Sequence, residues 1–335
     1  MRRLSVELAD IAERKNVVLA FQKAAKGKRS RESVSQFLQG FDQNINQLCE
    51  GILNAKLPYG CFRAFQIYDP KKRLIHAACF EDRIFHHAFI NIVGDELERR
   101  MQASSYACRK HKGVHKAAKA VQKNLQKYPY FVKIDIASYF PSISHEILLN
   151  LLVKCFKGQE GFEQITRMVK CYETNEGHGL PIGSLTSQYF ANYYLNGLDC
   201  LLAEHPDVAA NVRYMDDVIW WCKSRANAKK TLDEVRRWLQ RDRGLTVKST
   251  VQILASKQGV TYCGFRIMQG AIRLSRRRKR RYQERRLYWE KQYRNGEITA
   301  LELQQAYAAV HSVTEMTDSL SWRRENLKRH PSIGA

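Results

Sequence analysis

Asp216 and Asp217 stand side by side between apolar, β-prone segments, Val212 ahead of them and Val218-Ile219-Trp220-Trp221 behind. Flanks of that kind pair as strands, which puts both carboxylates at the tip of a tight hairpin, Tyr214-Met215-Asp216-Asp217. Adjacent anions repel one another and resist burial, so the arrangement is costly unless a cation neutralises it. A second acid-bearing run, Phe131-Val132-Lys133-Ile134-Asp135-Ile136, lies upstream, with Asp135 81 residues before Asp216. A fold that joins the two strands gathers three carboxylates into one metal site. The competing reading, an ordinary polar turn at Asp216-Asp217, accounts for neither the flanks nor the partner strand.

The charge balance says what such a site would handle. The chain of 335 residues carries 56 Lys and Arg against 33 Asp and Glu, a net charge of +23. A surplus that large suits a polyanionic partner held through phosphates and sensitive to salt. Charge alone does not separate that partner from a ribosome-associated or simply soluble basic protein. Nine cysteines are scattered without a C-x-x-C pair, which indicates neither a disulfide framework nor a zinc knuckle and fits a reducing cytosol. Cys108, His111 and His115 amount to half a zinc site. Ala88-Phe89-Ile90 and Leu148-Leu149 are too short for a membrane span of about 20 residues. No apolar signal segment follows Met1-Arg2-Arg3, so a cytoplasmic protein with no membrane partner is expected.

Along the chain, the first sixty residues read as two helices, the second carried by Val34, Phe37, Leu38, Phe41, Ile45, Leu48 and Ile52 on one face. Lys26-Gly27-Lys28-Arg29-Ser30-Arg31 is the basic loop between them, and Leu57-Pro58-Tyr59-Gly60 ends the pattern. Phe62 to Ile67 alternates as a strand ending at Asp69-Pro70; residues 80–101 and 114–127 read as helices. The acid strand over 131–136 is stopped by Pro141, and a helix follows near 144–156. A glycine-punctuated loop, Gly177 to Gly183, opens a helix to about 203; then come the hairpin at 211–222 and a charged helix at 226–241. Val260 to Ile267 with Ile272-Arg273-Leu274 forms another hairpin, and from Ser275 the chain turns to Arg, Lys, Tyr and Trp.

Joining nucleotides requires neutralising a triphosphate and lowering the pKa of an attacking hydroxyl, and two divalent ions about 3.5–4 Å apart do both. Mg2+ takes hard oxygen ligands and shares them with substrate phosphates. Asp135 and Asp216 would bridge the ions, with Asp217 beside them and the Ile136 carbonyl as a further ligand; Mn2+ is the natural substitute.

Asp135 with Phe140, the Tyr214-Met215-Asp216-Asp217 box, and Gly179-Leu180-Pro181-Ile182-Gly183-Ser184-Leu185-Thr186-Ser187-Gln188 resemble the central motifs of reverse transcriptases. Ser105 to Gly113, containing Arg109 and Lys110, resembles the fingers segment before the first acid motif; Cys263-Gly264-Phe265 resembles the primer grip. The match runs in order from about residue 58 to 268. The resemblance implies an α+β right-hand polymerase with an antiparallel palm sheet: a helical N-terminal extension (1–57), fingers (58–130), palm (131–270, with a fingers contribution near 155–180) and a basic helical thumb (271–335). It implies that Phe140 lies under the sugar as a steric gate against a 2′-hydroxyl, a core phenylalanine being the alternative. Lys71 and Arg73 would clasp the triphosphate of a dNTP, with Ile182, Gly183, Gln188 and Tyr214 around the nucleotide. Lys248 sits where the family carries a lysine near the incoming nucleotide, as proton donor or electrostatic stabiliser; a plain surface lysine competes with both readings.

Most reverse transcriptases carry glutamine before the glycine of the Ile182-Gly183 pair and proline after Ser187. Isoleucine and Gln188 here resemble the enzymes of diversity-generating retroelements, bacterial or phage-encoded, which copy a template-repeat RNA into cDNA with errors at adenines and so diversify a target gene. That subclass implies a small accessory variability-determinant protein beside the template RNA, primer and cDNA product, for which segments 23–31 or 109–127 offer basic surfaces. A defence-associated or retron-like reverse transcriptase, or an inactive polymerase-derived RNA-binding protein, are the other readings. No ribonuclease H, maturase or endonuclease segment is expected. In the tail, Arg276, Arg277 and Arg280 would hold the backbone of a template–primer duplex while Leu287 packs inward.

Overall fold

The computed structural model describes residues 2–68 and 72–333. The chain is mixed α/β and divides into two compact units, each assembled from three separate segments. The first unit comprises Met1–Arg109, Ile136–Leu201 and Glu234–Ser249; the second comprises Lys110–Asp135, Leu202–Asp233 and Thr250–Ala335.

In the first unit, four short helices, Leu8–Ala12, Arg14–Ala25, Glu32–Gln39 and Phe41–Leu53, replace the two expected. The long apolar stripe is interrupted at Gly40, whose ψ of 41° leaves the helical range. Val34, Phe37, Ile45, Leu48 and Ile52 are buried on both sides of the break, whereas Leu38 is exposed. The apolar spacing therefore runs through a break that periodicity does not see. Phe21, Phe37, Phe41 and Phe80 form an aromatic cluster that ties these helices to the start of the helix Phe80–Arg100. Next to it, Phe62–Tyr68 and Lys72–Ala78 pair as an antiparallel hairpin. Asp82 anchors its base by accepting the Tyr59 and Gly60 amides at 2.7 and 3.0 Å. The helix expected to run to 203 stops at Leu195 and restarts as Asn196–Glu204, because the Asn196 side chain is engaged with the backbone of Arg100 and Gln102. A helix at Gln159–Lys170, whose buried Gly161, Gln164, Ile165, Met168 and Val169 hold one face, went unread in the sequence, and a two-residue parallel bridge of Leu4–Ser5 with Phe156–Lys157 is too short to give a periodic signal.

The second unit is built on a four-stranded antiparallel sheet, in the order Ala210–Tyr214, Asp217–Cys222, Tyr130–Asp135, Gln252–Ala255. Phe131, Val132, Val218, Ile219, Trp220 and Trp221 are all essentially buried. Both faces of the central strands are covered, which explains their continuous rather than alternating apolar sequence. Helix Val114–Lys127 packs on this unit. A second, three-stranded sheet of Val260–Tyr262, Phe265–Ile267 and Ile272–Leu274 follows, one strand more than the expected hairpin pairing. The tail is helical: Arg276–Arg294, Ala300–Ser312 and Leu320–Arg329. Its inward face differs from expectation. Leu287 is exposed at 38%, and Tyr282, Arg286 and Glu290 are buried instead, four residues apart on the packed side. Arg286 and Glu290 form an ion pair at 3.5 Å, and Tyr307 donates to Glu290 at 2.7 Å.

Candidate active site

The hairpin turn is two residues long, Met215-Asp216, with Tyr214 paired to Asp217. Met215 takes φ +57°, a left-handed conformation that costs a side-chain-bearing residue about 1 kcal/mol. Strain of that kind persists where surrounding structure over-determines it, often at functional sites. It holds Asp216 in the turn while Asp217 begins the next strand. Asp135 ends its own strand directly opposite Asp217 in the antiparallel register. Opposed residues in such a pair bring their side chains within about 5 Å at Cβ. The three acids expected to converge are therefore neighbours on one edge of one sheet.

Lys133 lies two residues before Asp135, on the same strand face. Its Nζ is 3.0 Å from an Asp217 carboxylate oxygen, with the side chains 16% and 22% exposed. The Asp217 carboxyl is held up at about 6, by burial first and with help from Asp135 and Asp216, while Lys133 opposes the rise. Tyr262 donates its hydroxyl to the Asp217 carbonyl at 2.8 Å, which couples the second sheet to the acid hairpin. The Tyr262-Cys263-Gly264-Phe265 turn has φ of +48° at Cys263 and +80° at Gly264, the two left-handed residues of a type I′ hairpin turn. A Cβ at Gly264 would collide with the Arg278 guanidinium, which lies 4.1 Å from the Phe265 ring centroid. The Cys263 thiol, half-buried, is pushed far up by desolvation first and then by Asp217, and stays protonated.

These residues fit a divalent cation. Three carboxylates share one edge, and the lysine beside them offsets a single charge. Among the described residues no group of three or more His, Cys, Asp or Glu side chains is already gathered closely enough to hold a metal ion. An open set of hard oxygens suits an ion that completes its shell with substrate phosphates.

The remaining predicted residues of the nucleotide set belong to the first unit, apart from Tyr214, which is half-buried beside Asp217. Phe140 opens a short 3-10 turn, Phe140–Ser142, and is half-buried. The glycine loop docks along this turn: the Leu180 amide donates to the Phe140 carbonyl at 3.0 Å and the Gly179 amide to that of Ile143 at 2.9 Å. Ile182 accepts the His76 amide at 2.9 Å, and Gly183, at φ +115°, lets the backbone approach Ile75, whose Cγ2 would lie 2.9 Å from any Cβ there. Gln188 accepts a hydrogen bond from the Cys108 thiol at 3.3 Å. Ile136 is buried and bridged to Val247, so Lys248, half-buried, stands one residue beyond that bridge. Arg73 is exposed on the hairpin opposite Ile67, and Lys71 lies outside the described residues.

Among the nucleic-acid residues, Lys110, Arg276, Arg277 and Arg280 are exposed, Arg280 in an i,i+4 pair with Glu284 at 3.3 Å. Arg109 departs from expectation. Its side chain is 6% exposed, paired with Glu98 at 2.9 Å and bonded to carbonyls of Glu98, Met101, Gln102 and Ser105, so it clamps the end of a helix instead of facing a ligand. Sequence reasoning assigned no role to Lys133, Tyr262 or Arg278. Only Lys133 had a readable signal, its two-residue spacing from Asp135.

Three acids on adjacent antiparallel strands of a strongly basic chain define a nucleotidyltransferase. Residues 68–267 match the family model described as reverse transcriptase (RNA-dependent DNA polymerase). The chain belongs to that family, whose members are RNA-directed DNA polymerases that use divalent metal ions and bind a nucleic-acid template. Solved structures similar to it include apo telomerase from Candida tropicalis truncated from its C-terminal domain, at 12% identity and a TM-score of 0.48, over 64% of this chain and 55% of that one. Telomerase from Candida albicans in complex with a TWJ fragment of telomeric RNA matches at 12% identity and a TM-score of 0.48, over 80% and 54%. The corresponding Candida tropicalis complex matches at 12% identity and 0.49, over 80% and 54%. The chain spans about half the length of these telomerases. No curated protein gives a significant sequence match.

Proposed function

We propose that this reverse transcriptase copies a template-repeat RNA into cDNA with infidelity directed at adenines, diversifying a target gene. The observation that carries the polymerase reading is the register that sets Asp135 against Asp217, next to Asp216. The subclass rests on Ile182-Gly183 and Ser187-Gln188. In this reading the sheet bearing the acids is the palm (131–270), residues 58–130 are the fingers with a contribution near 155–180, 271–335 the thumb and 1–57 a helical extension. The enzyme works in a bacterial or phage-infected cytoplasm with a small accessory protein.

Asp135 and Asp216 would hold two Mg2+ ions, or Mn2+ in their place, with Asp217 and the Ile136 carbonyl adjoining. When bound, such ions supply a lowered hydroxyl pKa and charge neutralisation of the triphosphate. The protein's own groups orient the reactants. Phe140 bars a 2′-hydroxyl, Lys71 and Arg73 grip phosphate, and Lys248 faces the departing pyrophosphate as donor or stabiliser. Tyr214, Gly183 and Gln188 border the nucleotide. Gly264 shapes the primer grip, and Lys110, Arg276, Arg277 and Arg280 carry the duplex. Ile182 offers shape where a glutamine would offer a hydrogen bond, and discrimination by apolar fit is the weaker kind.

Primer extension on an RNA template tests the activity: product that vanishes in Asp216→Asn is expected, and product that persists would overturn the metal assignment. For the subclass, Ile182→Gln should lower misincorporation opposite adenine. An unchanged error spectrum would count against the role given to Ile182.

A further inference from the structure

The basic loop Lys26-Gly27-Lys28-Arg29-Ser30-Arg31 has no part in the acid site. Arg31, at its end, lines a groove of about 910 Å3 within the first unit, bordered by the N-terminal helices, one face of the Phe62–Tyr68 hairpin strand and the start of the Phe80–Arg100 helix. Arg63 and Arg83 line the same groove, and Lys28 lies close enough that Arg83 and Arg31 depress its pKa, after burial. Arg83 is depressed in turn by burial and then by Arg31. His87 is pushed down to about 4, by burial first and then by Lys23, Lys28 and Arg83.

None of Lys28, Arg31, Arg63 and Arg83 forms an ion pair among the described residues, and the Arg83 Nε is buried without a hydrogen-bond partner. Glu32 and Glu81 border the groove; Glu81 offsets part of the repulsion on Arg83, which lies over the Phe80 ring at 5.1 Å and is still depressed overall. Cations held together in excess of their counter-charges, none of them in an ion pair among the described residues, invite an anion, by the same logic that makes three clustered carboxylates invite a metal. Two aromatic side chains stand in the same lining with their rings in solvent, Tyr59 at 57% and Phe65 at 44% exposure. Arginine forks for phosphate beside exposed rings for bases are the two elements of a single-strand platform. An acidic protein would use the cations and leave the rings without a purpose.

We infer that this groove binds a single-stranded stretch of RNA, with its phosphates on Lys28, Arg31, Arg63 and Arg83 and its bases on Tyr59 and Phe65. The inference deepens the reverse-transcriptase reading by giving the template a hold in the first unit, on elements other than the acid-bearing strands.

The test is fluorescence anisotropy of the full chain with a labelled, unstructured RNA of about 20 nucleotides, across a salt series. Each phosphate contact on a single strand contributes about 0.7 to the salt slope, or roughly fourfold in affinity at about 0.15 M salt. The triple variant Lys28→Gln, Arg31→Gln, Arg63→Gln should therefore bind about fiftyfold more weakly, with a slope flatter by about 2. A control triple, Arg225→Gln, Lys229→Gln, Arg237→Gln, should change little. Ultraviolet crosslinking should map to Tyr59 or Phe65. Extension of a primer whose template ends a few nucleotides beyond it should survive in the groove variant. An unchanged affinity and slope in a variant that melts like wild type overturns the proposal, as does loss of an acidic protein partner with RNA affinity intact. Failure of the wild type to extend any primer would instead strike the activity, which the binding measurement does not depend on.

Discussion

Lys133→Met removes the cation paired with Asp217 and keeps an aliphatic stem beside Tyr262, whose ring centroid lies 6.0 Å from the Lys133 Nζ. At the 3.0 Å separation the gross attraction is about 5 kcal/mol for an effective dielectric near 20. The net loss is smaller, because Asp217 retains about a fifth of its exposure and can take up a proton. Breaking one side of a mostly buried pair costs about 3 kcal/mol, and each kcal/mol moves a melting point by roughly 2–4 °C in a domain of this size. Thermal melts in EDTA should therefore fall by roughly 6–12 °C. In saturating Mg2+ the deficit should shrink by half or more, since a divalent ion neutralises the same carboxylates. Equal deficits with and without Mg2+, or a drop in EDTA below about 2 °C, would refute the idea that Lys133 stands in for a cation.

The Asp217 carboxyl, held up to about 6 from an ordinary 3.8, gives a pH dependence with a definite sign. Between those values the unfolded chain has released a proton that the folded chain keeps, so metal-free stability falls as pH rises through the window. Asp217→Asn should abolish that component in melts recorded in EDTA, and Mg2+ affinity of the wild type should rise across the same range. Gly264→Ala places a side chain at φ +80° and displaces Arg278 from the Phe265 ring, which should cost about 2 kcal/mol in denaturant unfolding and impair primer extension. Phe140→Val should lower the preference for dNTP over rNTP by about tenfold or more in competitive extension, and an unchanged ratio would remove its role as a gate.

The acid hairpin and its partner strand were legible because both signals are local: apolar flanks of β-prone residues and carboxylates where they are costly. The helix over 114–127 could be read from its periodicity to the residue. The break at Gly40 could not, since the buried set Val34, Phe37, Ile45, Leu48 and Ile52 keeps its spacing through a change of helix. Arg109 and Leu287 mislead for a related reason. A family resemblance suggested a ligand-facing arginine and residue type an inward leucine, whereas the carbonyls at a helix end and the phase of the helix decided their places. Lys133 and Tyr262 act across strands distant in sequence, and only the register brings them to Asp217.

Because each unit is threaded from three segments, a gene cut at any single point severs at least one of them. The first is not complete until residue 249 has been made, although its opening 109 residues leave the ribosome early. Nascent chains must hold part of that unit unsatisfied until its last segment emerges, and no contiguous fragment offers a shortcut for expressing either unit alone. Engineers seeking a split version of this enzyme would have to rewire the order of its segments before dividing it.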